Sequence, residues 1–92
     1  MDFIYRFFGD YGECLYVGQT NDIKRRFKQH MKKEWWPEVG RIDVAEVEQK
    51  RFVDIYEKYY INKLEAKYNK RDTKIRYNKF CFPELQFYKY YT

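Results

Sequence analysis

Two short runs rich in β-formers, residues 2–8 (DFIYRFF) and 13–18 (ECLYVG), flank the tetrapeptide Gly9-Asp10-Tyr11-Gly12. Gly and Asp at these positions are turn chemistry, so the chain is expected to open with an antiparallel β-hairpin. A two-residue loop closed by Gly9 and Gly12, or a four-residue loop closed by Phe8 and Glu13, gives paired residue numbers that sum to 21. Either register sets Tyr5 opposite Tyr16 on one face of the sheet. A three-residue loop would shift the pairing by one and separate them.

Beyond residue 18, helix and strand signals alternate along the chain. Thr20, Asn21 and Asp22 are good helix caps, and a helix is expected over residues 21–33 with Ile23, Phe27 and Met31 spaced by four. Arg26 and His30 flank that apolar stripe, also four apart, whereas Arg25 and Lys28 point to solvent. Pro37 and Gly40 break the chain after Trp35-Trp36, and residues 41–47 (RIDVAEV) read as a third strand. A second helix over 49–66 carries Val53, Tyr56, Tyr60, Ile61 and Leu64 on one face, with Glu57 among them. The expected fold class is α/β (α+β): a small three-stranded central sheet, its first two strands a hairpin, flanked by helices.

Ninety-two residues make one domain. Such a chain buries a modest fraction of its surface and needs bulky core residues; 11 Tyr, 8 Phe and 2 Trp supply them. The net charge of +5 is open to two readings, a polyanionic partner or ordinary solubility. Cys14 and Cys81 form no CxxC pattern, so a four-ligand zinc site is excluded and a reduced, cytoplasmic pair is expected. The N-terminal residues lack signal-peptide character, and no stretch is long and apolar enough to span a membrane.

Two features bear on chemistry. An ionised Glu57 on an apolar helix face is costly unless it is paired or binds a metal; taken alone, a buried pair with a Lys or Arg of the sheet is the simpler reading. Residues 70–92 hold Lys70, Arg71, Lys74, Arg76, Lys79 and Lys89 against Asp72 and Glu84, a net +4, interleaved with seven aromatic residues. That mixture suits single-stranded nucleic acid, where bases stack on rings and phosphates meet cations. Its competing reading is a structural arm that packs Phe80, Phe82 and Leu85 onto the core.

In order along the chain, these residues resemble the GIY-YIG nuclease family. Ile4-Tyr5 matches the first half of the name and Tyr16-Val17-Gly18 the second. Arg26 stands eight residues after Gly18 and His30 four further on, as in YIG-x-T-x5-R-x3-H; Glu57-x3-Ile61-x7-Asn69 is similar to the family's metal-binding helix and the Asn after it. The resemblance covers residues 3–69, a catalytic domain over 1–69, with 70–92 as its basic aromatic extension. Phe3 departs from the family's Gly, a change that leaves catalysis open and narrows the approach to Tyr5.

The resemblance implies a metal-dependent endonuclease that hydrolyses DNA phosphodiesters. Glu57 would hold one Mg²⁺ or Mn²⁺, and Arg26 would stabilise the phosphorane. His30 would bind phosphate or take part in proton transfer, and Tyr5 or Tyr16 would position or activate water. A phenol pKa near 10 makes a poor base, and a nearby metal with Arg26 would lower it. Gly18, lacking a side chain, would let a phosphate approach the backbone; Lys24 would join it at the substrate, and Asn69 would fix structure near the metal helix. Lys74, Arg76 and Lys79 would add affinity for DNA. The expected partner is nucleic acid, not a membrane, with the protein a monomer or homodimer in the cytoplasm. A nucleic-acid-binding module without turnover, or a protein-interaction domain of the same fold, is the alternative.

Overall fold

A computed structural model of the chain describes residues 1–69 and 84–91. The expected hairpin is present as β1 (Asp2–Phe8) and β2 (Cys14–Thr20). Helix α1 (Ile23–His30) comes next, then a single 3₁₀ turn at Trp36–Glu38 and strand β3 (Arg41–Val47). A second 3₁₀ turn, Lys50–Phe52, leads into α2 (Val53–Leu64), and a short β4 (Tyr88–Lys89) completes the set. The sheet is antiparallel throughout with order β2-β1-β3-β4, so it has four strands where three were expected.

Both helices are shorter than their apolar periodicity implies. The Asp22 carboxylate accepts from the Arg25 backbone N–H at 3.2 Å and so starts α1 at Ile23. No side chain caps α2, whose first turn is tightened into the 3₁₀ segment, and Glu65 ends it in the left-handed region with φ 50°.

The hairpin register differs from the expectation by two residues. Phe8 pairs with Cys14, closing a loop over 9–13, and a β-bulge lies beyond it, so that Phe7 pairs with Tyr16 and Tyr5 with Gly18. The odd loop contributes one residue of shift and the bulge at Leu15 another. Tyr5 is therefore not opposite Tyr16. Because the two shifts sum to an even number, both rings stay on the same face, centroids 6.1 Å apart.

Each face of the sheet carries one helix. Ile4, Phe8, Val17 and Val47 pack against Val53, Tyr56, Tyr60 and Ile61 of α2. On the other face Tyr5, Phe7, Leu15, Ile42 and Val44 pack around Phe27 of α1. Fully burying an apolar side chain of this size contributes roughly 1.5–3 kcal/mol, so the two clusters hold the helices in place.

Residues 84–91 behave as an arm across the β3 edge. Leu85 and Phe87 pack on the α2 side, where the Arg6 guanidinium lies 3.6 Å from the Phe87 ring centroid and 3.1 Å from Asp43 Oδ2. The Tyr90 N–H donates to the Ile42 carbonyl at 2.8 Å, and its ring meets Phe27 edge-on. Leu85 thus packs as the structural-arm reading holds, while Phe80, Phe82, Cys81, Lys74, Arg76 and Lys79 lie outside the described residues. Cys14 is buried with a free thiol, pushed up to about 11 by burial.

Candidate active site

The α1 face of the hairpin gathers four of the residues singled out by the sequence. Tyr5, at the centre of the sheet, is fully buried among Phe7, Phe27, Tyr16 and His30. Its oxygen lies 2.6 Å from His30 Nε2 and accepts from Arg26 Nε at 3.2 Å. Arg26 and His30 reach it because α1 places them one turn apart on the side facing the sheet. Arg25 points away and makes an exposed pair with Asp22 at 4.0 Å, and Lys24 is exposed on the first turn.

Burial decides the charge states. The His30 imidazole is pushed down to about 4, first by burial and then by Arg26 and Lys33, so it is neutral at pH 7. Its Nδ1 is buried with no hydrogen-bond partner among the described residues. An orphaned buried N–H costs more than an unused lone pair, so the network assigns the proton to Nε2, which donates to Tyr5. The Tyr5 oxygen then accepts from two donors, and its own hydrogen is turned away from both.

Both donors favour a phenolate, yet the Tyr5 phenol is held above its ordinary pKa. Burial is the largest cause, Tyr16 and Glu57 add to it, and Arg26 opposes it. The expectation that Arg26 lowers this pKa is thus reversed in the resting protein by desolvation. Burial works against the Arg26 charge, but Tyr5 and Tyr16 outweigh it and raise its pKa.

Gly18 has a role other than the one expected. A β-carbon there would meet the Tyr5 hydroxyl at 2.3 Å, so the missing side chain makes room for the Tyr5 ring rather than for a phosphate. Phe3 packs at the margin of this same cluster. Asn69 accepts from the Val17 N–H at 2.9 Å and donates to the Val17 carbonyl at 2.8 Å. With Lys67 and Tyr68 bonded to Cys14 and Leu15, it covers the outer edge of β2 rather than bracing the α2 helix.

Glu57 stands apart from this cluster, half-buried on α2 across the sheet. Gln19 Nε2 donates to Glu57 Oε1 at 3.4 Å and also to Asp54, one helical turn earlier. Among the described residues no three His, Cys, Asp or Glu side chains converge. A cation here would be held by one or two carboxylates and leave most of its shell to water and phosphate, which is how Mg²⁺ is ordinarily bound. The donor set fits a hard divalent ion.

Sequence reasoning missed Gln19, Asp54 and Trp35. Trp35 stacks on Tyr16 at 5.5 Å and on Tyr68 at 5.3 Å, fixing the outer wall of the Tyr5 cluster. The paired tryptophans were the available signal, since so large an apolar surface is seldom left without a partner.

A family model of the GIY-YIG catalytic domain matches residues 1–72, which include β1 to α2 and all of Tyr5, Tyr16, Gly18, Arg26, His30, Glu57 and Asn69. An uncharacterized protein of Bacillus subtilis (strain 168), YurQ, is 33% identical over 72 residues that cover 72% of this chain. The chain spans 58% of that relative's length. No solved structure matches it. With the matched motif residues falling on the strands and helices that assemble the cluster, the chain belongs to the GIY-YIG family of nuclease-type catalytic domains.

Proposed function

We propose that the chain is a metal-dependent endonuclease that hydrolyses DNA phosphodiester bonds. The observation that carries this reading is the convergence of Arg26 and His30 on the oxygen of the buried Tyr5. Such a network holds a phenol at fixed orientation with its hydrogen directed outward, which positions a water or a phosphate oxygen. Arg26 presents a planar guanidinium whose remaining donors suit charge growing on phosphorus. Neutral His30 holds the Tyr5 oxygen and keeps the α1 face from carrying a second fixed cation. Tyr5 positions the attacking water; Tyr16, whose ring lies 4.7 Å from His30, lines the same cluster. Glu57, with Gln19 and Asp54 beside it, would hold one Mg²⁺ or Mn²⁺. When bound, that ion supplies Lewis-acid polarisation of the scissile phosphate. Lys24, and Lys74, Arg76 and Lys79 beyond the described residues, add phosphate affinity without sequence selectivity.

The test is incubation of the protein with supercoiled, linear and branched DNA in Mg²⁺, Mn²⁺ or chelator. Metal-dependent nicking that is lost in Glu57→Gln, Arg26→Ala and Tyr5→Phe is expected. Cleavage that survives chelator, or survives all three substitutions, overturns the reading. Binding without cleavage under every condition makes the chain a binding module instead.

A further inference from the structure

Beyond the cluster at Tyr5, the α1 side of the β3–β4 edge encloses a cavity of about 500 Å³ lined by Trp36, Arg41, Ile42, Lys89, Tyr90 and Tyr91. Its size falls within the roughly 300–1,000 Å³ of ordinary ligand sites. Three aromatic side chains and two cationic ones in one cleft are suited to one ligand chemistry, a planar base joined to a phosphate.

The rings differ in how they are held. Trp36 is fixed edge-on to Phe7 at 5.3 Å and Tyr90 edge-on to Phe27 at 5.2 Å. Tyr91 is 82% exposed, a large apolar surface presented to solvent at the cavity mouth. Lys89 is exposed and has no carboxylate partner among the described residues, whereas Arg41 lies 3.4 Å from Asp43 Oδ1 and over the Phe8 ring. Asp10, packed against Gly40, is the acidic side chain at the rim. One cation is thus unopposed, and one is held in place by stacking.

We propose that this cleft takes an unpaired nucleotide of the DNA strand being cut, its base against Trp36 and Tyr91 and its phosphate near Lys89. The inference rests on the nuclease reading for its meaning and deepens it by naming a substrate class. A base can lie against a ring only if it is splayed from its partner, so the cleft selects single-stranded, flapped or frayed DNA over intact duplex. The position agrees. Tyr90 is two ring-to-ring steps of 5.2 Å from Tyr5, through Phe27. At the 3.4 Å rise of a stacked strand that distance is roughly three nucleotides. The nucleotide held here would belong to the same strand as a phosphate at Tyr5.

The test is a binding titration in chelator, where cleavage plays no part, using fluorescent oligothymidylate, a duplex of equal length and a flapped duplex. Wild-type protein is expected to bind the single strand and the flap more tightly than the duplex. Tyr91→Ala, at a side chain exposed enough to spare the fold, should weaken binding of the single strand and the flap by about 5- to 150-fold, one lost stacking contact. Duplex binding should stay the same. Lys89→Ala should lower the salt slope for the single strand by about 0.7. Equal affinity of wild-type protein for single strand and duplex, or equal losses on both in Tyr91→Ala, overturns the proposal. If these preferences hold while no metal-dependent cleavage is found, the nuclease reading fails and the nucleotide cleft stands.

Discussion

The Tyr5 hydroxyl occupies the space that a side chain on its cross-strand partner Gly18 would fill, 2.3 Å from where that β-carbon would lie. The ring cannot swing aside, because it is fully buried and its Cζ would be 2.4 Å from the same atom. Gly18→Ala is therefore expected to push Tyr5 off His30 and Arg26. Overpacking of this kind costs typically about 1–3 kcal/mol. Chemical denaturation and nicking assays check it together: stability should drop by that amount and cleavage should fall to the level of Tyr5→Phe. A Gly18→Ala protein with wild-type stability and activity would mean that the ring has room to move.

This relationship also marks what the sequence could and could not convey. The strands over 2–8 and 41–47 were legible from β-propensity and turn residues, and so was the pairing of Arg26 with His30 on one side of a helix. The hairpin register was not. Its loop has an odd number of residues and Leu15 is bulged out, and neither change alters composition or alternation enough to be read. The two changes cancel in parity, which is why Tyr5 and Tyr16 share a face despite the wrong pairing. Trp35 against Tyr16, and Gln19 against Glu57, join residues 19 and 38 positions apart, and periodicity within one element carries no information about such contacts. Gly18 was misread for a related reason: the sequence shows that a side chain is missing but not what occupies its place.

Arg26 and Arg25 are neighbours in sequence and differ in every structural respect. Arg26 is half-buried, bonded to Tyr5 Oη and, through its NH1, to Gln29 Oε1 at 2.8 Å. Arg25 is exposed. Arg26→Ala should lower kcat about 100- to 1,000-fold, the usual effect of losing one preorganised donor, while Arg25→Ala changes it little. Arg26→Lys keeps the charge but loses the planar fork, so it should recover only part of the rate. Similar, small losses for both alanine variants would assign the two arginines to backbone grip alone.

Acid should destabilise the protein through His30. Its imidazole titrates at about 4 in the folded state against 6.5 for the free side chain. Between those values the unfolded chain binds more protons, so stability is full above pH 6.5 and falls as pH drops toward 4. With the residue only 2% exposed, the shift corresponds to about 3 kcal/mol over that window. Urea midpoints at about pH 7, 5.5 and 4.5 check this against His30→Gln, in which the other titrating groups are unchanged. Wild-type protein should lose stability more steeply than the variant; parallel curves would show that His30 carries its charge in the folded state.

The last prediction separates structure from substrate binding at Asn69. Its side-chain amide matches the pattern a neighbouring strand would offer, one acceptor and one donor, both spent on the backbone of Val17. β2 is an edge strand, and residues 67–69 are what cover its open side. Asn69→Ala removes two hydrogen bonds worth roughly 0.5–1.5 kcal/mol each, so a loss of about 1–3 kcal/mol is expected. Asn69→Asp keeps the acceptor but turns an oxygen toward the Val17 carbonyl where a donor was needed, and should cost at least as much. In both variants the Val17 amide should exchange with solvent faster, while the Tyr5 amide at the sheet centre stays protected. DNA affinity of the folded variants, measured in chelator, should match wild type, because neither hydrogen bond faces the Tyr5 cluster. An affinity loss at unchanged melting temperature and unchanged Val17 exchange would move Asn69 from the strand edge to the substrate.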